Sequence, residues 1–317
     1  MSETLKTIVI GTTLLDESLG IVRAGATLAR AADASPWLVH AYTLPAFPSE
    51  IGSLDAQWVE DYTEDLRKTL RQQTNRSGLA DLPGFAPDQA CLLMGSPHRQ
   101  IVEMARKVHA DLIVIGASEG GAVHRAFLGS TADRVVRKAP CPVLVVRSEM
   151  AFPPARVMAP VDLSPVSANA LRWGLSLLKN TGASPEIEAL FVLNALEVDG
   201  SLQFTPDQIE RFANDELRRF IEENAGAAPH ATSRVLTGFP REEILRNIDE
   251  RKADLVILGT HGRSGFERLM IGSVAAQVLE RAACNVLLVP PTTERPELRH
   301  DADWRYVSDE IPVEAGL

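Results

Sequence analysis

One pattern occurs twice in this chain, and that duplication constrains the fold more than any other feature. Residues 91–147 lie on residues 234–290 without a gap. Gly95 falls on Gly238, Pro97 on Pro240, Ile101 on Ile244, and Ala110-Asp111-Leu112 on Ala253-Asp254-Leu255. Gly116 meets Gly259, Arg125 meets Arg268, Gly129-Ser130 meets Gly272-Ser273, and Cys141 meets Cys284. A slightly different offset aligns the beginnings: Ser18 on Ser167, Arg23 on Arg172, Gly25 on Gly174. The change of offset is assigned to the connection between the second and third strands, where loops absorb insertions. Units this long are whole domains, because solenoid repeats run to roughly 20–50 residues. The chain therefore reads as two similar domains in tandem, 1–148 and 155–290, followed by a polar tail, 291–317. The short linker, with Pro153 and Pro154, keeps them close.

Composition narrows the function classes. A length of 317 residues suits two domains, and a hydrophobic content of 45% supports a buried core in each. The formal charge of −10 argues against nonspecific nucleic-acid binding, which needs cations to replace phosphate counterions. An anionic ligand would have to be held by backbone N–H groups or a metal. Three cysteines, none in a CxxC pair, point to a reducing compartment and to small core residues. No segment reaches the roughly 18–20 apolar residues of a membrane span, and the amino terminus lacks a basic stretch before an apolar run. A cytoplasmic location is the expectation, with no membrane partner.

Short β-branched runs alternate with helical spacing through both copies. Thr7 to Gly11 predicts a first strand, and Leu19, Val22, Ala26 and Ala29 predict a helix behind it. Strands such as LIVIG and LVILG are apolar on both faces, as parallel strands covered by helices on each side are. Pro97, Pro165, Pro206 and Pro240 each open a helix, where the missing N–H costs nothing. Thr205 stands as N-cap before Pro206. The fold class that follows is α/β: two doubly wound, Rossmann-like domains, each a five-stranded parallel sheet with helices on both faces. Ligands of such sheets bind beyond the carboxyl ends of the strands, where strand order reverses. The loops after the first and fourth strands are the places to search.

The fourth-strand loop of the second copy carries Gly259-Thr260-His261-Gly262-Arg263-Ser264-Gly265, and Gly272-Ser273 then opens a helix. In this G-x2-G-x9-G-S string, glycine lets the backbone approach a ligand, and a helix amino terminus presents unpaired N–H groups with partial positive charge. The combination makes a phosphate cradle that needs no lysine; its plain competitor is a flexible loop before a serine-assisted helix start. Asp162 closes the first strand of this copy. Because Ser164-Pro165 supplies the helix start, Asp162 is left to accept a hydrogen bond from a ribose hydroxyl or a base N–H, or to brace its loop. His261 has two readings, a phosphate contact or a structural hydrogen bond. Arg263 and Arg268 either meet phosphates or face solvent, and Arg125 opposite Arg268 favours a structural task for that pair. His98 and His109 do not form a metal pair, and His40 reads as a half-buried strand residue. The chain contains neither G-x4-G-K-[ST] nor a first-strand G-x-G-x-x-G.

On these motifs both halves, about 5–147 and 155–290, resemble tandem universal stress proteins, and the second half resembles the ATP-binding subgroup. The resemblance implies Asp162 for ribose and adenine, and Val192 in the second strand for backbone contact with adenine. It implies Gly259, Gly262, Gly272 and Ser273 for the phosphates. Pro160, Val161, Leu258, His261, Arg263 and Val274 complete the candidate set. It further implies a magnesium or manganese ion on the phosphates of ATP, ADP or AMP. It also implies pairing of the fifth strands, 142–146 with 286–289, as an internal pseudo-dimer. A homodimer and an unidentified protein partner stay open. The first copy departs from the pattern: Glu119 stands at the place of Gly262, Thr13 at the place of Asp162, and Gly120-Gly121 offer a shifted loop. Its nucleotide site is expected to be degenerate.

Three functions remain: a nucleotide-dependent regulatory module of the stress response, a slow ATP hydrolase or phosphoryl-handling enzyme, and a scaffold that binds nothing. Efficient catalysis is not indicated, since His261 is the one general-base candidate near the loop.

Overall fold

The computed structural model describes residues 5–44, 56–117, 128–147, 153–182, 184–194, 205–225, 231–261 and 271–291. Ten strands run in chain order: β1 (Thr7–Thr12), β2 (Ser35–Tyr42), β3 (Ala90–Met94), β4 (Leu112–Gly116), β5 (Val143–Val146), β6 (Arg156–Val161), β7 (Glu186–Asn194), β8 (Ala231–Gly238), β9 (Leu255–Gly259) and β10 (Asn285–Val289). Among the described residues eight α-helices lie between them: α1 (Leu19–Ala32), α2 (Ala56–Arg76), α3 (Pro97–Lys107), α4 (Ser130–Lys138), α5 (Pro165–Asn180), α6 (Pro206–Ala225), α7 (Pro240–Arg251) and α8 (Ser273–Arg281). These are the elements the alternating pattern predicts. Thr205 caps α6 as expected: Gln208 N–H donates to its hydroxyl (3.4 Å), and Thr205 N–H donates to Gln208 Oε1 (2.9 Å). This reciprocal pair is a capping box.

All ten strands join one sheet in the order β3-β2-β1-β4-β5-β10-β9-β6-β7-β8. Within each half the strands are parallel, and the order reverses between β1 and β4 and between β6 and β9. The halves meet where β5 and β10 pair antiparallel, Val145 against Val286 and Leu144 against Leu287. The carboxyl edges of the two halves consequently point to opposite ends of the molecule. Strand pairing also refines the repeat. Thr7 pairs with Ser35 while Arg156 pairs with Glu186, so the second copy gains two residues before its second strand. The offset changes in that connection as well as in the later one.

Both sheet faces are buried, as the apolar strands require. On β4 and β9, Ile113, Ile115, Val256 and Leu258 join the core under α3, α4, α7 and α8. Leu112, Val114, Leu255 and Ile257 join the core on the opposite face, which includes residues of α1 and α5. The strands of the junction contribute to both layers, Val143, Val145, Val286 and Leu288 on one side and Leu144, Val146, Leu287 and Val289 on the other. Each such aliphatic side chain stabilises by about 1.5–3 kcal/mol when fully buried, so the contact between halves is a core rather than a polar interdomain surface. Two helix glycines make close layering possible. A Cβ on Gly25 would stand 2.4 Å from Ile10 Cδ1, and one on Gly174 would stand 2.4 Å from Ile257 Cδ1.

A polar latch locks the junction at one end. Arg147 N–H donates to Asn285 Oδ1 (2.9 Å), and its guanidinium donates to the carbonyls of Leu279 and Glu280 (3.2 Å to the latter) at the end of α8. A cation there also complements the helix dipole. The repeat places Pro290 opposite Arg147 and Pro142 opposite Asn285, so this pairing occurs once. Cys141 and Cys284 are buried, and burial pushes their thiols up, that of Cys284 to about 12. Cys91 is half-buried and pushed up to about 11 by the same cause.

Candidate functional site

The carboxyl edge of the second half brings together the ends of β6, β7 and β9 and the beginning of α8. β6 lies beside β9 at the point of strand reversal, so Asp162 and Thr260 leave adjacent strands at the same end. Pro160 and Val161 are buried in the last turns of β6, and Asp162 is half-buried just beyond it. The β6–β7 register ends at Val161 and Phe191, whereas β7 continues against β8 to Asn194. The main chain of Val192 therefore runs past the end of β6, beside Asp162, while its side chain stays 8% exposed within the core. Leu258 is buried in the same core.

Asp162 does not stand apart from its loop. Its Oδ1 accepts from Ser164 N–H (3.1 Å), and its own N–H donates to Ser167 Oγ (3.4 Å). Ser164 supplies the helix cap as expected, accepting from Ser167 N–H (3.2 Å). One carboxylate oxygen thus braces the turn, the second of the two readings of Asp162. The brace has a local cause, since Leu163 adopts φ 61°, a conformation that costs an L side chain roughly 1–2 kcal/mol. Leu14, its equivalent in the first copy, adopts φ 66°.

Gly259 is required by packing. A Cβ there would lie 2.8 Å from Val166 Cγ1 and 3.3 Å from the Val166 carbonyl, so glycine lets the end of β9 pass under the first turn of α5. The loop then starts and closes on one residue: Thr260 N–H donates to the Val289 carbonyl (2.9 Å), and Gly272 N–H donates to the Thr260 carbonyl (2.7 Å). Gly272 thereby gives its amide to the chain rather than to a ligand. It caps α8 without a side-chain hydrogen bond, and the first turn holds no acidic residue. The amides of the following residues, Ser273 (exposed), Val274 (half-buried) and Ala275, are the ones the geometry directs out of the helix end. His261 Nδ1 and the buried Thr260 hydroxyl are hydrogen-bonded at 2.9 Å, the structural role foreseen as one of its two readings. Gly262 and Arg263 lie outside the described residues, as do Ser264, Gly265, Arg268, Glu119, Gly120, Gly121 and Arg125.

The equivalent edge of the first half is built differently. Thr12 Oγ1 donates to Gln73 Oε1 (2.5 Å) and is hydrogen-bonded to Ser18 Oγ (2.9 Å), while Gln73 Nε2 donates to Ser18 Oγ (2.9 Å). His40 Nδ1 donates to the Thr12 carbonyl (2.9 Å), and burial lowers the pKa of this imidazole. These polar groups satisfy one another, and Val161 stands at the position of Thr12 in the second half. The helix ends differ too. Asp133 occupies the first turn of α4 and pairs with Arg137 (2.9 Å); Ala276 and Glu280 hold those places in α8. A carboxylate in the first turn already complements the dipole and opposes a second anion. Sequence reading missed this contrast, although a bare alignment of the two helices contains it.

The fold and this edge define a class: tandem doubly wound domains joined through their last strands, each with a glycine-capped helix beginning beside its strand-reversal point. The family model described as the universal stress protein family matches residues 4–147 and 154–290. The chain belongs to that family. It is 30% identical over 204 residues to a universal stress protein of Mycobacterium tuberculosis, covering 62% of this chain and 67% of the relative. It is 30% identical over 141 residues to one of Methanocaldococcus jannaschii, covering 42% of this chain and 81% of the relative. Among solved structures, a universal stress protein from Archaeoglobus fulgidus superposes with a TM-score of 0.64, covering 90% of this chain and 97% of that one at 18% identity, a likeness of fold.

Proposed function

We propose that the second domain (155–290) binds an adenine nucleotide, with ATP the first candidate and ADP or AMP the alternatives, and that occupancy regulates the protein. The observation that carries this reading is the amino terminus of α8, which has a glycine cap, no side-chain cap and no acidic residue in its first turn. Its amides and dipole suit phosphate oxygens. Asp162 and the main chain of Val192 lie beside each other at the same crevice, in reach of a ribose and a base. Pro160, Val161 and Leu258, at the ends of β6 and β9, are assigned to the walls of the site, and Gly259, Gly272, Ser273 and Val274 to the phosphates, with Gly262 and Arg263 proposed on the motif alone. Among the described residues no three His, Cys, Asp or Glu side chains come together. A magnesium or manganese ion is proposed to accompany the phosphates. In the first domain (1–148) the self-satisfied Thr12–Ser18–Gln73 cluster and Asp133 support a degenerate site.

Regulation follows by linkage: a ligand held by one conformation favours it by about 2.7 kcal/mol when present at 100 times its Kd. The hydrogen bond that holds His261 to Thr260 supports occupancy rather than rapid turnover. Isothermal titration of ligand-stripped protein is expected to show one ATP per chain, abolished by Gly262→Glu. Two equal sites, or none, would overturn the reading. Mass spectrometry of ligand released on denaturation identifies which nucleotide the purified protein retains.

A further inference from the structure

The outward stripes of α3 and α7 are charge-inverted copies of each other. These helices occupy equivalent places in the two halves and cover the same face of the sheet, since their inward residues Ile101, Val102, Ile244 and Ile248 belong to one core. Opposite that core, at helical spacing, α3 presents Arg99, Glu103, Arg106 and Lys107. The aligned positions of α7 are Glu242, Arg246, Asp249 and Glu250. All eight are exposed, and at each of the four positions the sign is reversed. Arg137 of α4 and Glu280 of α8 reverse as well, whereas Lys138 and Arg281 beside them keep one sign. A solvated helix face needs charge of either sign, so solubility alone does not explain a mirror-image pattern.

We propose that this face is an interface with a second copy of the chain, with α3 of each protomer lying antiparallel on α7 of its partner. The topology selects this arrangement. β1–β5 are parallel to one another, β6–β10 likewise, and β5 and β10 are antiparallel. Each crossover helix runs against its own strands, so α3 and α7 point in opposite directions on the shared face. A twofold axis along the strands, above the β5–β10 seam, stacks two such faces. It brings α3 of one chain over α7 of the other, antiparallel, and repeats the contact once, which closes the assembly as a dimer. In that register Arg99 meets Asp249 and Glu250, Glu103 meets Arg246, and Arg106 and Lys107 meet Glu242. A twofold axis across the strands would instead lay α3 on α3, setting Arg99 against Lys107. Complementary charge thus decides orientation and register, the role it serves best at protein interfaces.

The test is sedimentation velocity on the full chain. The parent is expected to dimerise at about 100 µM protein in about 20 mM salt and to dissociate at about 500 mM, where the screening length falls to a few ångströms. Arg99→Glu with Arg106→Glu leaves both faces acidic, and Glu242→Arg with Asp249→Arg leaves both basic. Each double variant alone is expected to be monomeric with an unchanged thermal midpoint. Their equimolar mixture is expected to form a one-to-one dimer, and the quadruple exchange in one chain is expected to dimerise again. A monomeric parent at low salt, or double variants that dimerise as the parent does, would overturn the proposal. So would a monomeric parent whose basic face captures polyglutamate, which would assign α3 to an acidic polypeptide instead.

Discussion

Placing a carboxylate in the first turn of α8 gives the sharpest test of the phosphate-facing helix. Ala276→Asp copies the residue that α4 carries at Asp133. Side chains in a helix lean toward its amino terminus, so the new carboxylate would sit about 7 Å from a phosphate resting on the amides of Ser273 to Ala275. At an effective dielectric of about 20–40, two unit charges at that distance repel by about 1–2 kcal/mol. Nucleotide Kd should therefore rise about 5–30-fold, since about 1.4 kcal/mol is tenfold. Stability should barely change. Lower helix propensity costs about 0.5 kcal/mol and like charge with Glu280 a few tenths, offset by about 0.3–1 kcal/mol from the dipole. Isothermal titration at low and high salt, with Ala276→Asn as the neutral isostere, separates charge from shape. Equal losses in both variants, or a loss that salt does not reduce, would refute the electrostatic argument.

Three further outcomes follow from the geometry. Gly259→Ala forces a Cβ to within 2.8 Å of Val166 Cγ1 and is expected to destabilise by about 1–3 kcal/mol in chemical denaturation. Val166→Ala in the same chain should recover part of that loss, and no recovery would place the strain elsewhere. Asn285→Ala removes the acceptor of Arg147 N–H at the seam and should cost about 1–3 kcal/mol. Asn169→Ala, which removes a 3.3 Å bond to the Pro290 carbonyl near the other end of the seam, should cost less; equal effects would deny the latch its special place. Burial lowers the pKa of His40 below its ordinary 6.5. The folded state therefore binds its proton less readily than the unfolded chain does, and this contribution is present above pH 6.5 and lost as pH falls below it. Denaturation curves at pH 7.5 and 5 should differ less in His40→Gln than in the parent.

Much of the architecture was legible because local chemistry dictates it. Apolar runs such as LIVIG, prolines at helix starts, and Thr205 or Ser164 as caps act within a few residues, and the structure places strands and helices where they point. Asp162, Val192, Gly259 and the start of α8 lie at one sheet edge because strand order reverses between β6 and β9. Less legible were the uses of particular atoms. Asp162 gives an oxygen to its own turn because Leu163 is held at positive φ. Gly272 gives its amide to Thr260, and Gly259 is glycine because a helix crosses above it. Hydrogen-bond partners and interlayer clearances are set by neighbours remote in the chain, and periodicity does not report them.

By itself the sequence determined that there are two similar domains and what class each belongs to. Hydrophobic period and turn chemistry are local, and a duplication shows any departure between its copies. Family resemblance implied that the fifth strands pair; only the tertiary structure decided their antiparallel register, Val145 against Val286, and that Arg147 and Asn285 bind the seam at a single end. It also decided which face α3 and α7 share with opposite charge. Those features depend on strands paired across more than a hundred residues, where contact is a matter of packing rather than of spacing along the chain.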